Sequence, residues 1–387
     1  MQARPSKKIV WLSDVYDQHY LAARGEDIAP CMSSAKRRDL FKCAEMATGL
    51  PVIVLSSPPK AALRRKGKWL PRMRTRFFTH PQFFCPNWDA PKMRIPLSWL
   101  FYAWHVLRYT RRGDLVAIDN YMFNNVMAAW CAKVFRGAKV VLDYEDGRHL
   151  IDRSWQRVLS GLAEFFGRPL VRAAFVVHPA LAERLPKGTP SELVPGFFTA
   201  SPFPKKPREP GCLKFLYAGT LALTHGIDLL IETLSLLPAR GWHLDIAGTG
   251  PLESNVQQAV KERRWSDKVT FHGSLSTIAT QELASGCDVA LNCQKMSHPI
   301  SEVTFPSKIF TYLSAELVII SSRASQVDKV CGNACIYYDK DDPKALAAAM
   351  TEAVCNFEGI RQRLKLDGIR ERYSLEGTAA RLRKLLI

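Results

Sequence analysis

The chain has 387 residues, 47% apolar and 23% charged, with no long biased tract; this excludes a disordered arm and favours two domains of roughly 150 to 200 residues. Its net charge is +18, and the excess is uneven: residues 1–200 hold 31 Lys and Arg against 16 Asp and Glu, and the remainder holds 23 against 20. An attraction for anions therefore belongs to the first half.

The basic start is followed by an apolar run that ends at Ser13, short of a secretory h-region, so the expected location is the cytoplasm with thiols reduced. Lys8 to Ser13 reads as a strand, Ala35 to Ala47 as a helix stopped by Gly49, and Val52 to Ser56 as the next strand before Pro58-Pro59. A basic run follows, Lys60, Arg64, Arg65, Lys66, Lys68, Arg72, Arg74 and Arg76, with no acidic residue between Glu45 and Asp89. It suits a nucleic acid, an anionic membrane or a pyrophosphate-linked acceptor, and equally a solvated loop. No nucleic-acid motif accompanies it, and the paired aromatics Phe77, Phe78, Phe83 and Phe84 read as strand or core, so nucleic acid is not expected as a partner.

The apolar run Ile95 to Leu107 is too short to cross a bilayer and reads as a buried or interfacial helix within 97–110. Strand Leu115 to Ile118, helix Asn124 to Phe135, strand Lys139 to Asp143, helix Trp155 to Arg172 and strand Phe175 to Val177 complete a doubly wound domain over 1–198. Prolines crowd residues 202–210, so 199–212 reads as a linker.

A second alternating series fills 213–370: strand Lys214 to Tyr217, helix Ile227 to Leu237, strand His243 to Ile246, helix Leu252 to Arg264 and strand Val269 to His272. Strand Val289 to Asn292, helix Lys308 to Ser314, strand Val318 to Ser321 and helix Pro343 to Phe357 follow, with a last helix in 371–387 from Leu375 to Ile387. The closest cysteines, Cys331 and Cys335, lie in an apolar turn rather than a zinc knuckle, and no metal site is expected.

In an open parallel sheet, ligands bind beyond the carboxyl ends of the strands, and glycines there let a diphosphate approach the backbone. Gly219, Gly248, Gly250 and Gly273 with Ser274 follow three successive strands, and Pro306, Ser307 and Lys308 open a helix at the same edge. One glycine alone would read as a tight turn; four loops at one edge, one carrying a cation, read as a nucleotide-diphosphate site.

The succession YAGTL, HGIDLLI, IAGTGPL, VTFHGSL, CDVALN and FPSKIFTYLSAE over residues 213 to about 345 resembles the donor domain of glycosyltransferase family four. The resemblance implies two facing Rossmann-like domains, the GT-B fold, and retaining transfer from a UDP- or GDP-sugar without a required metal or other cofactor. It also implies an acceptor, a lipid-pyrophosphate or other glycan precursor, held by the first domain. The leaving diphosphate then needs fixed positive charge and N–H donors. Where the family carries a cationic pair, this chain has Thr220 and His225; the family's two carboxylates fall on Val303 and Thr311, with Glu302 one position early. Glu316 stands where glycine is usual, and Lys308 matches the family.

In the first domain, Asp146 matches the family's aspartate beside the transferred sugar, with Tyr144 or Glu145 in place of its histidine. Asp146-Gly147 also reads as a turn, and Asp119-Asn120-Tyr121 shares that ambiguity. His80, His105 and His178 read as packing residues. A catalytically silent glycosyltransferase-like subunit and a nucleotide-sugar epimerase remain alternatives. The basic run, with Trp69, Leu70 and the Trp99 to Leu107 helix, makes peripheral binding to the inner face of an anionic membrane an expectation.

Overall fold

The structure, a computed structural model, describes residues 7–16, 20–21, 34–58, 69–88, 94–147 and 155–387. Lys60, Arg64, Arg65, Lys66 and Lys68 of the basic run lie outside these residues. Two compact units form, one of residues 1–194 with 375–387 and one of residues 195–374.

The first unit runs β1 (Ile9–Leu12), α1 (Ser34–Thr48), β2 (Val52–Ser56), β3 (Trp69–Leu70), β4 (Met73–Phe77), β5 (His80–Phe84), β6 (Asn87–Trp88) and α2 (Arg94–Tyr109). It continues β7 (Leu115–Asp119), α3 (Phe123–Arg136), β8 (Lys139–Tyr144), α4 (Trp155–Gly167), β9 (Val171–Val176), α5 (Pro179–Ala182) and β10 (Ser191–Leu193). Its main sheet has the order β10-β9-β8-β7-β1-β2-β5-β4, parallel except for β4, which pairs antiparallel with β5. Right-handed crossovers place α2, α3 and α4 on one face of this sheet and α1 on the other.

The second unit runs β11 (Leu213–Ala218), α6 (Ile227–Leu234), β12 (Trp242–Ala247), α7 (Glu253–Glu262), β13 (Val269–Gly273), α8 (Thr277–Ser285), β14 (Val289–Asn292) and α9 (Lys308–Ser314). Then come β15 (Val318–Ser322), α10 (Val327–Cys331), β16 (Ile336–Tyr338), α11 (Pro343–Cys355), α12 (Phe357–Arg363) and α13 (Asp367–Tyr373). All six strands are parallel in the order β13-β12-β11-β14-β15-β16. That order reverses direction between β11 and β14, the crevice at which doubly wound folds bind nucleotides. Beneath it Phe215, Leu244, Ile246, Val289 and Ile320 are wholly buried, which fixes the strand ends that carry the loops.

Several boundaries differ from the sequence reading for identifiable reasons. The helix expected over Trp155 to Arg172 ends at Gly167, because Pro169 follows in a 3-10 turn and Val171 already belongs to β9. The paired aromatics belong to the β4–β5 hairpin, whose turn holds Phe78 at φ 53°. Helix α8, capped by the Ser276 side chain accepting from Ala279 N–H at 3.2 Å, was not foreseen.

The proline-rich stretch goes with the second unit: Phe198 N–H donates to Tyr373 O at 2.8 Å and Lys206 N–H to Ser285 O at 2.9 Å. The last helix, α14 (Leu375–Leu386), returns to the first unit, where Cys43 Sγ reaches Leu375 O and Arg383 Nε donates to Ala47 O at 3.2 Å.

Candidate active site

At the reversal point of the second unit the glycine loops pack on one another, and the packing explains why glycine is required. Gly219 N–H donates to Ala247 O at 2.8 Å and Gly248 N–H to Gly273 O at 2.7 Å, so the ends of β11, β12 and β13 are tied together. Gly248 adopts φ 144°, and a Cβ there would collide with the Gly219 carbonyl oxygen. A Cβ on Gly250 would run into the Leu221 backbone, and one on Gly226 into the Cys293 carbonyl. Gly219, Gly248, Gly250 and Gly273 thus sit in one connected backbone layer.

Lys308 reaches the same layer from α9. Its Nζ lies 3.4 Å from where a Gly219 Cβ would be. The helix is held in place by Tyr312, whose hydroxyl donates to Ala218 O and accepts from Ala218 N–H, each at 3.1 Å. Lys308 makes no hydrogen bond or ion pair with a described residue, and burial pushes its ammonium down to about 8. A half-buried cation without an internal counterion is a place where an anion gains most.

Burial, then repulsion from Lys308 and His298, also pushes the His225 pKa down. The conditional cation expected at His225 is therefore neutral near pH 7 in the free protein, with its Nδ1 2.7 Å from Thr224 Oγ1. Thr220 is exposed, and its carbonyl accepts from Tyr217 Oη at 3.0 Å. Ser274 and Ser307 are exposed, and Pro306 O accepts from Ile309 N–H at 3.0 Å.

Glu302 is exposed at the end of a 3-10 turn, Pro299–Glu302, and bonds to no described residue. Val303, beside it, is buried, so a valine fills core space at the position where the resemblance puts a carboxylate. No group of three or more His, Cys, Asp or Glu side chains suited to a metal ion occurs among the described residues.

The first unit has its own reversal point, between β1 and β7, and there the charges are paired internally. Asp119, at the end of β7, accepts from Trp11 Nε1 at 2.7 Å, bonds Ser13 Oγ and pairs with Arg37. Arg37 also donates to Glu145 at 2.6 Å, and Lys36 pairs with the other oxygen of Glu145 at 2.6 Å. Burial opposes ionisation of Glu145, and Arg37 and Lys36 outweigh it and hold its pKa down; burial and Glu145 push Asp143 up.

Asn120, at φ 49°, accepts through its side chain from Glu145 N–H and Asp146 N–H, both at 2.8 Å. Asp146 is thereby fixed at the sheet edge. Tyr144 turns into the helix layer, stacking edge-on with Tyr121 and donating to Glu164 at 3.1 Å, so it does not stand at the edge in place of the histidine. The Arg37 cluster was not anticipated; its only sequence trace is an Arg near the start of a helix following a strand.

Residues 213–356 match the family described as glycosyl transferases group 1. The second unit carries a glycosyl transferases group 1 domain. No curated protein matches the chain in sequence. Among solved structures, sucrose-phosphate synthase from Thermosynechococcus elongatus is similar at 14% identity and a TM-score of 0.66, with 98% of each chain covered. The Anabaena protein HepE, in complex with UDP and glucose, has 11% identity and a TM-score of 0.67 over 98% of this chain and 99% of its own. The catalytic domain of starch synthase IV from Arabidopsis thaliana, bound to ADP and acarbose, has 8% identity and a TM-score of 0.68 over 98% and 99%. The fold is therefore that of the GT-B glycosyltransferases, with two Rossmann-like domains.

Proposed function

We propose that the chain is a retaining glycosyltransferase of the family-four type, moving a sugar from a UDP- or GDP-sugar to a lipid-linked or cell-surface glycan precursor at the cytoplasmic face of a membrane. The observation that carries the donor half of this reading is the half-buried Lys308 beside Gly219, unpaired among the described residues, where the glycine loops meet. When the sugar–phosphate bond breaks, negative charge grows on the diphosphate. A pre-placed cation beside open backbone stabilises that charge more than it stabilises the intact donor, which is what accelerates the step. The UDP and ADP bound by two of the similar structures fit the same assignment.

In this reading Asp146 hydrogen-bonds the sugar, Glu302 takes the ribose, and Gly219, Thr220, His225, Gly248, Gly250, Gly273, Ser274, Pro306 and Ser307 line the diphosphate and base. A panel of labelled nucleotide-sugars, with and without a membrane extract, tests it by release of UDP or GDP and by the anomeric configuration of the product. Extract-dependent release from one donor with a retained anomer supports the proposal.

A second reading has two observations in its favour: Val303 is buried where a donor-holding carboxylate is expected, and Thr220 stands where a cation is expected. A silent subunit would bind UDP or GDP without releasing it from any donor, whatever acceptor is added.

A further inference from the structure

A surface helix ordinarily turns its apolar stripe toward the core. Helix α4 does the reverse. Val158, Leu162, Phe165 and Phe166 recur at i, i+4, i+7 and i+8 and are all exposed, Phe165 at 69%. Its inward side is made by Ala163, Glu164 and Gly167, the last so close to the Tyr121 ring that a Cβ would not fit. The neighbouring helices continue the pattern: α3 exposes Val134 and Phe135, at 64% and 66%, and α2 exposes Leu100 and Trp104.

These are one surface. Trp99 of α2 and Phe123 at the start of α3 have ring centroids 4.4 Å apart, Arg136 at the end of α3 donates to Leu107 O of α2 at 3.3 Å, and Trp130 Nε1 of α3 donates to Phe166 O of α4 at 2.9 Å. Among the described residues nothing packs over the stripe.

Among the described residues of these three helices, the exposed charges have one sign. Arg108, Lys133, Arg136, Arg157 and Arg168 are exposed on or beside the three helices, and Arg111 and Arg112 follow α2. The single acidic side chain of α2, α3 and α4 is Glu164, which is buried and bound to Tyr144 and Arg184.

We propose that this face docks the protein on an anionic lipid surface, with Leu162, Phe165 and Phe135 entering the acyl boundary and the arginines meeting head-group phosphates. Apolar area and clustered cations are the two signals that together hold a peripheral protein at a membrane. Long cationic side chains can lie along the apolar stripe while their heads remain at the phosphates. A second copy of this chain fits less well, since a twofold interface would set each cluster of cations against its own image.

The contact surface differs from the one expected at the sequence level. The cations from Lys60 to Lys68 lie outside the described residues, and in β3 Trp69 is exposed but Leu70 is buried and unavailable as an anchor. The inference deepens the membrane part of the proposed function and does not rest on the donor chemistry.

The test is sedimentation of the full chain with vesicles of phosphatidylcholine alone and of an equal mixture with phosphatidylglycerol. The wild type should pellet with the mixture and stay in solution with phosphatidylcholine. Both a Leu162→Glu/Phe165→Glu variant and an Arg157→Gln/Arg168→Gln variant should lose at least about tenfold in partition. Unchanged thermal unfolding and nucleotide binding in each variant show that the loss is local, and a wild type that binds neither UDP nor GDP counts against the proposed function without altering the vesicle result. Wild type that stays in solution with the mixture, or face variants that pellet as wild type does, overturn the proposal. So does binding lost only in an Arg64→Gln/Arg65→Gln/Lys66→Gln/Lys68→Gln variant. A wild-type dimer in light scattering that dissociates in Leu162→Glu/Phe165→Glu would assign the face to a second copy and overturn the lipid assignment.

Discussion

The two sheets reverse strand order in the same way, and each gathers charge at that point, yet the two edges are chemically opposite. Between β1 and β7, Arg37 and Lys36 are consumed by Asp119 and Glu145, so the edge is electrically closed before any ligand arrives. Between β11 and β14, Lys308 stands without a counterion among the described residues, over a floor of glycine backbone. A buried charge with internal partners holds structure, whereas one without them keeps its electrostatic energy for a ligand. Topology nominates both edges; counterion accounting separates them.

Removing the closed edge should cost stability and spare the open one. Arg37→Ala leaves the buried Asp119 and the part-buried Glu145 without their guanidinium, and breaking a buried pair ordinarily costs about 3–5 kcal/mol. Because Trp11, Ser13 and Lys36 still reach the two carboxylates, the loss should lie at the lower end, about 3 kcal/mol in urea unfolding. UDP affinity should not change; a parallel loss of UDP binding would break the contrast between the edges. Gly248→Ala is the reciprocal experiment. Its φ of 144° and the collision with the Gly219 carbonyl should lower the stability of the second unit by about 2–3 kcal/mol and abolish UDP binding, read by calorimetry.

Lys308→Ala sharpens the comparison at a smaller scale. A charge-assisted contact to diphosphate is worth about 2 kcal/mol, or roughly thirtyfold in UDP affinity, and the variant should melt no lower than wild type, since the lysine has no internal partner to lose. The pH dependence follows from the direction of the shift. Burial holds the free ammonium at about 8, so below that pH the cation is present and affinity is level; as pH rises through about 8, binding must first recapture a proton, and affinity falls by up to about tenfold per unit. Lys308→Ala should remove the slope. A slope already complete by pH 6.5 would assign the titration to His225 instead, although its lowered pKa places that event on the acid side.

Much of the architecture was legible because local signals agree with it. Alternating β-branched runs and glycine stops located Val52–Ser56, Val289–Asn292 and Lys308–Ser314 to the residue. Helix α4 was overrun because apolar spacing continues through Leu170 and Val171, although Pro169 marked the end. What could not be read was non-local. That α14 packs on α1, or that Arg37 meets Glu145 across 108 residues, depends on where crossovers bring elements, which no window of sequence contains. That the glycine loops share one edge of the second sheet was legible, but the burial of Val303 and the outward stripe of α4 needed the fold, since exposure is a property of neighbours.

The smallest predicted effect concerns the end of α9, where the sequence departs from the resembled family and the backbone shows why glycine would be usual. Glu316 adopts φ 58° at an exposed helix terminus, a left-handed conformation that costs a side chain about 1 kcal/mol. It is offset in part by a pair with Arg370 at 3.4 Å, both side chains substantially solvated, which is worth a few tenths of a kcal/mol. Glu316→Gly relieves the strain, loses the pair and adds chain entropy to the unfolded state. With about 0.3 kcal/mol for the pair and about 0.5 for the entropy, these terms leave a net gain of about 0.2 kcal/mol, seen as a slightly higher urea midpoint for the second unit. Glu316→Ala separates the contributions: it keeps the strain and loses only the pair, so its midpoint should fall slightly. If Glu316→Gly is the less stable of the two, the chain entropy it adds outweighs the strain it relieves, because both variants lose the Arg370 pair; the fall in Glu316→Ala alone then measures what that pair contributes at the helix end.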